Sequence, residues 1–582
     1  MGKVNNLIEL FARSVQGGPD RPAVADHRST LSYGELDRAS DAVARMLVEH
    51  GVTSGDRVAL HLDRSVELLV AVLGVVKAGG AYVAVDTRYP KARRDLLLVR
   101  SGARIVLVDS PSEFVTDDPG VTVLPMSAAT PGDRCTVSVE PGAMANVIFT
   151  SGSSGEPKGI VLEHRNLVSL ATNIGLPAVY REDCMGQISN ASFDAFNMEV
   201  WTALAAGAEI VVLPAVPDLL ATGFRAELDR YGVTVMVAPT MVVNHVARAQ
   251  PDAFGSLRLL QAGGDVLLPS ACRTLLDSGF RGALYNLYGP AEITTCCTGH
   301  RVTAEDADSE VVPIGLPIDG VSARVLDADL RPVRPGETGE LFIGGPGVAR
   351  GYLDRPDLTA ERFVELDGER MYRTGDQVRQ RPDGALLFIG RLDNQLRIRG
   401  YRVEPSEVEN ALRRYDGVHD AVVVAEGEGN DRSLVTFLET AEQVTLAEVR
   451  AQAAGDLPDY MVPTRFIAVP RIPVTAHGKR DLHALRAVLA EHVERENSFR
   501  EPATDTERYL AELWQEMLWV ERVGRTDDFF GLGGHSLLAF RMHHRVNSDL
   551  AVQLAFPTVL DNTVLADLAA TVDDLRAEAE PA

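Results

Sequence analysis

Residues 147–159 read V-I-F-T-S-G-S-S-G-E-P-K-G, an apolar run that enters a loop of Thr, Ser and Gly and ends at Lys158. Glycines let backbone N–H groups approach phosphate oxygens, the hydroxyls of Thr150, Ser151, Ser153 and Ser154 add donors, and Lys158 adds a positive charge. The stretch suits phosphate handling. It is not a Walker A loop, which needs Gly before the Lys and Ser or Thr after it, because Pro157 and Gly159 stand there. On composition alone a flexible Ser/Gly connection fits equally well. Position adds weight to the first reading: the loop follows a strand candidate at 145–149, and open α/β sheets bind ligands beyond the carboxyl ends of their strands.

Upstream, L-S-Y-G-E-L at 31–36 leads into apolar residues at helical spacing, Leu36, Ala39, Val43 and Leu47, and then a short strand at 57–62. Residues 68–86 read as a buried helix, a Gly79-Gly80 stop and a strand. Strand candidates recur at 103–108, 122–124, 209–213, 233–237, 257–264 and 284–292. Short apolar strands alternating with helices favour a mainly parallel, helix-covered sheet. From 315 to 340 the pattern changes to short alternating strands with turns such as Arg334-Pro335-Gly336, a β-rich subdomain on the same core.

Length and composition bound the rest. A chain of 582 residues exceeds what one core organises, so several domains are expected. With 45% apolar and 24% charged residues it has the make-up of globular protein. A formal charge of -25, from 57 basic and 82 acidic residues, disfavours nonspecific attraction to nucleic acid or an anionic membrane. Five cysteines without C-x-x-C spacing point away from zinc and towards a reducing cytoplasm. No apolar run is long enough to span a bilayer. After 391 the chain shows its own strands at 421–425 and 434–438 and a helix at 404–412; a charged stretch, 489–503, reads as a linker. Beyond it Leu510, Leu513, Trp514, Met517 and Leu518 share one helical face, and a small helical bundle is expected.

Read in order, the stretches L-S-Y-G-E-L, K-A-G-G-A-Y-V-A-V-D, T-S-G-S-S-G-E-P-K-G, F-D-A, N-L-Y-G-P-A-E, G-E-L-F-I-G-G-P-G-V-A-R-G-Y-L, Y-R-T-G-D, G-R-L-D-N-Q-L-R-I-R-G-Y-R-V-E, L-P-D-Y-M-V-P, H-G-K and D-D-F-F-G-L-G-G-H-S-L-L resemble the adenylate-forming enzymes. Within them the chain resembles a nonribosomal peptide synthetase adenylation domain followed by a peptidyl carrier domain. The resemblance covers nearly the whole chain. It implies an adenylation core at 1–391, a small α+β subdomain at 392–488, a linker at 489–503 and a four-helix carrier at 504–582.

The implied reaction joins an amino-acid carboxylate to the α-phosphate of ATP and passes the aminoacyl group to a carrier thiol. By resemblance Lys158 and Glu292 are catalytic, Glu292 holding Mg²⁺, and Lys479 bridges substrate carboxylate and phosphate in the first step. The nucleotide is assigned Thr150, Ser151, Gly152, Ser153, Ser154, Gly155, Gly263, Asn286, Gly289 and Arg391, with Tyr288 against adenine and Asp376 on the ribose hydroxyls. Asp194 matches the partner of the substrate α-ammonium, a charge-assisted role that implies an α-amino acid. Ala195, Met198, Met236 and Leu260 match the pocket lining, as do Ala262, Leu287, Thr295 and Cys296. None is charged, so a neutral, mid-sized, aliphatic substrate is expected, with proline or an aromatic residue as runner-up. Outside this context Tyr288 reads as ordinary core, and Asp376 and Arg391 as surface ion pairs.

Asp393 matches the hinge about which the small subdomain turns, and Ser536 the attachment site of 4′-phosphopantetheine. Ser536 is no hydrolase elbow, which needs Gly two residues on, where Leu538 stands. Two departures stand out: Ala291 replaces the usual Thr beside the acidic residue, and the usual N-G-K-V-D-R reads H-G-K-R-D-L at 477–482. A phosphopantetheinyl transferase, downstream tailoring or condensation enzymes and an MbtH-like protein are the implied partners, and natural-product (antibiotic) biosynthesis the implied setting. With no condensation or thioesterase motif the thioester is expected to pass to other proteins. The rivals are an acyl- or aryl-CoA ligase, opposed by Asp194 and Ser536, and a carrier protein with an inactive adenylation domain, opposed by Lys158, Glu292, Asp376 and Lys479.

Overall fold

Ser32 opens the helix Tyr33–Glu49 through a capping box in which its hydroxyl accepts from the Glu35 N–H while the Glu35 carboxylate accepts from Ser32. The next helix, Val66–Lys77, is buried at every position but Glu67 and capped by Ser65. The buried Lys77 is paired there with Asp37 and Asp41, which accept from it at 2.6 and 2.9 Å. Gly79, at φ 82, turns the chain into the strand Ala81–Ala84.

These elements belong to a computed structural model that describes residues 4–579 apart from 111–113, 117, 136, 153–155, 217, 220–222, 393–394, 399, 428–431, 442–443, 474–479, 497–499, 519, 521, 531, 533 and 535. The chain divides into two compact units, Met1–Glu404 and Pro405–Ala582.

The first unit holds two large sheets. One has nine strands, with a parallel centre from Ala283–Tyr288 through Leu259–Gly263, Val235–Pro239, Cys184–Gln187 and Glu209–Val212 to Pro22–Ala25, and antiparallel edges. The other has seven, with Ala81–Ala84, Arg57–His61, Ile105–Val108 and Thr122–Pro125 parallel to one another and Met144–Thr150 beside them. The helices Tyr33–Glu49, Val66–Lys77, His164–Ala171 and Ala195–Ala206 share one apolar core with both sheets. A buried polar network crosses that core. Asn197 donates to Asn146 at 3.0 Å, Asn146 to the Tyr82 carbonyl at 3.0 Å and the Trp201 indole to the Tyr82 hydroxyl at 3.2 Å. It ties the helix Ala195–Ala206 to the seven-stranded sheet. The β-rich part is a five-stranded antiparallel sheet built around Thr338–Gly344 and Glu369–Gln380.

In the second unit, Val418–Glu426, Ser433–Thr440 and Arg465–Ala468 form a three-stranded sheet. The helix Leu482–Glu496 runs through the first half of the expected linker at 489–503. Its Leu485 and Leu489 are buried against that sheet's apolar residues, a reason for order that the charges of the stretch hide. Four helices follow, Asp505–Leu518, Ser536–Leu550, Phe556–Asp561 and Leu565–Ala579, packed around Leu510, Leu513, Trp514, Phe529 and Val546.

Candidate active site

The phosphate-loop candidate connects two antiparallel strands, Met144–Thr150 and Lys158–Glu163, with Thr150 opposite Lys158. Thr150 Oγ1 is buried with no hydrogen-bond partner among the described residues. Ser151 is buried too, and its hydroxyl donates to the Arg402 carbonyl at 2.6 Å. Gly152 lies on the same loop, while Ser153, Ser154 and Gly155 lie outside the described residues.

The loop returns into a charged cluster. Lys158 Nζ approaches Glu292 at 3.3 Å and donates to the Tyr352 hydroxyl at 3.2 Å. Tyr352 in turn donates to Glu292 at 2.7 Å, and Arg402 Nη1 reaches both carboxylate oxygens at 3.1 and 3.0 Å. Burial alone raises the Glu292 carboxyl, but Arg402, Lys158 and the Tyr352 hydrogen bond outweigh it and hold it well below the carboxylate range. Burial, with the nearby Arg402, brings Lys158 down to about 8, against the pull of Glu292. Sequence reading missed Arg402 and Tyr352, although both lie in quoted motifs, R-G-Y-R-V-E and R-G-Y-L.

A second cluster forms where the five-stranded sheet pairs Asp376 with Arg391. Arg391 and the Tyr288 hydroxyl both donate to the buried Asp376 carboxylate. Burial, with the neighbouring Asp376, pushes the Tyr288 hydroxyl well above its usual value. The Asn286 amide donates to the Pro313 carbonyl at 2.8 Å, and Gly263 pairs with Leu287 at the end of the nine-stranded sheet's parallel centre.

Between Tyr288 and Cys297 the chain folds back on itself. A Cβ on Gly289 would lie 2.6 Å from Cys296 Cα and 2.7 Å from the Thr295 carbonyl, so only glycine fits. Thr294 and Thr295 take φ of 59 and 77, a left-handed conformation that costs a β-branched residue about 1–3 kcal/mol. Their hydroxyls compensate, donating to the Gly347 and Asp194 carbonyls at 2.7 and 2.8 Å. Asp194 precedes the helix Ala195–Ala206. Burial, with the charge of Glu292, pushes its carboxyl up to about 6 against the Ala195 N–H.

The pocket candidates do not form one packed group. Met198, Leu287 and Cys296 sit in the core shared by both sheets, whereas Met236, Leu260 and Ala262 pack in a separate core. Ala195 and Thr295 are half-buried beside Asp194. Asp393 and Lys479 lie outside the described residues, and Ser536 is the first residue of the helix Ser536–Leu550.

Residues 11–353 match the AMP-binding enzyme family, 407–479 the AMP-binding enzyme C-terminal domain and 508–572 the phosphopantetheine attachment site. Malpibaldin synthetase of Mortierella alpina is 38% identical over 575 residues, 96% of this chain and 10% of that protein. Gramicidin S synthase 2 of Aneurinibacillus migulanus is 36% identical over 576 residues, 97% of this chain and 13% of that protein. The chain therefore spans about a tenth of the length of these relatives. A solved nonribosomal peptide synthetase protein containing adenylation and PCP domains, bound to a vinylsulfonamide inhibitor, matches with a TM-score of 0.81 at 28% identity over 98% of both chains. With the first match alone spanning more than half its length, the chain belongs to the AMP-binding enzymes, as an adenylate-forming ligase joined to a phosphopantetheine carrier domain.

Proposed function

We propose that the chain activates a neutral, mid-sized, aliphatic L-amino acid as its adenylate and loads it on its own carrier domain, for nonribosomal peptide or related natural-product synthesis. The observation that carries this reading is the Glu292 cluster, a carboxylate kept ionised in a buried site beside Lys158 and the unpartnered Thr150 hydroxyl. Polyanionic reactants need such fixed charges. Asp194, whose carboxyl feels the Glu292 charge, receives the substrate ammonium, and none of the residues matched to the side-chain pocket is charged. Asp376, held by Arg391 and the Tyr288 hydroxyl, accepts from the ribose hydroxyls, Tyr288 packs against adenine, and Lys479 enters for the first half-reaction.

Among the described residues no group of three or more His, Cys, Asp or Glu side chains could hold a metal by itself. That fits magnesium, which takes one or two carboxylates and completes its shell from substrate phosphates and water. Held by Glu292, it supplies charge neutralisation to the phosphates. On the carrier, Ser536 begins the helix Ser536–Leu550, and a helix N-terminus favours a negatively charged phosphodiester.

The proposed partners are a phosphopantetheinyl transferase, downstream condensation or tailoring enzymes and an MbtH-like protein. The proposed boundaries are a core to 391, a small subdomain to 488 and a carrier from 504, with Asp393 as hinge. Among the described residues no helix is long and apolar enough to cross a membrane, and all five cysteines are free, which supports a place in the cytoplasm. Pyrophosphate exchange screened across amino acids tests the reading: exchange with valine, leucine or a close relative is expected, and preference for Asp, Glu, Lys or Arg refutes the substrate class.

A further inference from the structure

Glu199 has no role in the assignments above, although it is an acidic side chain with no solvent exposure. It stands on the helix Ala195–Ala206, which Asp194 precedes, and reaches back to the chain that leads into that helix. Its Oε1 accepts from the Ser189 hydroxyl at 2.8 Å and from the Ser189 and Ile188 N–H groups at 3.1 and 3.3 Å, and its Oε2 from the Gln187 amide at 2.7 Å. Arg64, which donates to the Gln187 and Leu213 carbonyls at 3.2 and 3.0 Å, adds its charge nearby. Burial lifts the Glu199 carboxyl to about 7, while the Gln187, Ser189 and Ile188 hydrogen bonds pull it down. All of these partners are donors, which suits an ionised carboxylate and would oppose a neutral amide in its place.

The chain between Ser189 and Asp194 is short and is held in its middle as well. Asn190 donates to Asp86 at 2.9 Å and accepts from the Ser192 and Phe193 N–H groups at 2.8 and 3.0 Å. Asp194 follows at once, its carbonyl accepting from the Asn197 N–H at 2.9 Å and from Thr295 at 2.8 Å. We propose that Glu199 is a positioning residue for the substrate amino group: by clasping 187–189 it fixes where the loop 190–194 delivers the Asp194 carboxylate. The proposal rests on the reading of Asp194 as the ammonium partner. A charge-assisted contact needs about 2.7–2.9 Å between its heavy atoms, so a shift of about 1 Å in the loop forfeits most of it. Glu199 reaches the substrate only through Asp194.

Titration calorimetry on the full chain tests this with two probes: the sulfamoyl adenosine of whichever amino acid leads the pyrophosphate-exchange screen, and the same molecule without its α-amino group. Glu199→Gln keeps the shape of the side chain but turns an N–H₂ group towards donors. It is expected to weaken the amino probe roughly 10- to 100-fold and the des-amino probe less than about threefold. In exchange assays its KM for the amino acid should rise in step, while its KM for ATP stays within about twofold of wild type. Asp194→Asn should weaken the amino probe too, and adding Glu199→Gln to it should cost less than about threefold more, because the two act as one. Equal weakening of both probes, amino-probe binding as in wild type, or losses that multiply in the double variant overturns the proposal. If Glu199→Gln fails to fold, Ser189→Ala, which deletes one donor, decides: about threefold weaker binding of the amino probe alone is expected, and any other result overturns the proposal. A wild type that binds both probes equally overturns the ammonium role of Asp194 and this proposal with it. A chain that exchanges with no amino acid sinks the proposed function as well, whereas a preference for the amino probe that Glu199→Gln retains in full sinks this proposal alone.

Discussion

Burial lifts the Asp194 carboxyl to about 6, so above that pH the folded protein holds a charge that the unfolded chain would leave in water. A carboxyl raised on folding favours the fold while it is protonated, and that advantage is lost as pH rises through about 6. Asp194→Asn should therefore stabilise the protein at pH 7.5 by about 2 kcal/mol and do little below about pH 4, as urea unfolding will read. The same change should abolish amino-acid-dependent exchange; a variant that exchanges normally removes Asp194 from recognition. In wild type, kcat/KM for the amino acid should rise through about pH 6 as Asp194 ionises and fall through about 8 as Lys158 loses its proton, and Lys158→Arg should flatten the alkaline limb. Lys479→Ala is expected to slow adenylation by roughly 10²- to 10³-fold and to spare thioester formation from preformed adenylate. Equal loss in both steps would make Lys479 structural. Glu292, Asp376 and Tyr288 were legible because short motifs carry them. Arg402 and Tyr352 were not: they meet Glu292 across 110 and 60 residues, and no local pattern encodes such a pairing.

Elements were readable where one signal dominated. The helix Val66–Lys77 is apolar on all sides, with Ser65 before it and Gly79 after it, and no competing pattern obscures it. The helix Leu482–Glu496 carries enough charge that its latter half read as a linker, although Leu485, Val488, Leu489 and Val493 make an apolar stripe against the three-stranded sheet. Only that sheet's core reveals the stripe. Leu485 is fully buried, so Leu485→Ala should cost the second unit about 2–5 kcal/mol, whereas Leu482→Ala, at an exposed position, should stay within about 0.5 kcal/mol. Equal effects in thermal melts would mean that the helix is not docked as described. The residue types of the loop after Thr150 suggest phosphate handling; the strand that follows it, with Lys158 paired opposite Thr150, emerged only from the fold.

At the scale of the whole molecule, Asp194, Glu292 and Asp376 lie in the first unit and the carrier helices in the second, so a substitution at Ser536 should leave the proposed adenylation chemistry intact. Ser536→Ala should exchange pyrophosphate at nearly the wild-type rate yet accept neither a phosphopantetheine arm nor an aminoacyl group, because only the thiol step uses the arm. Intact-protein mass spectrometry after treatment with a phosphopantetheinyl transferase, ATP and amino acid reads this directly. Aminoacylation of the alanine variant would refute the carrier assignment. The division into sheets, β-rich part and helical carrier was legible in the sequence; that the compact first unit runs to Glu404 emerges only from the fold, where Arg402 meets Glu292 and Ser151 through contacts distant in sequence. The polar network through Tyr82, Asn146, Asn197 and Trp201 has a further effect. It bolts the helix that follows Asp194 to the sheet whose strand ends at Thr150, which would set the spacing between the residue proposed for the substrate ammonium and the loop proposed for phosphate without using the apolar lining. The lining can therefore drift by single apolar exchanges while that ruler stays fixed, and a lineage of such ligases can acquire new amino acids without rebuilding its chemistry.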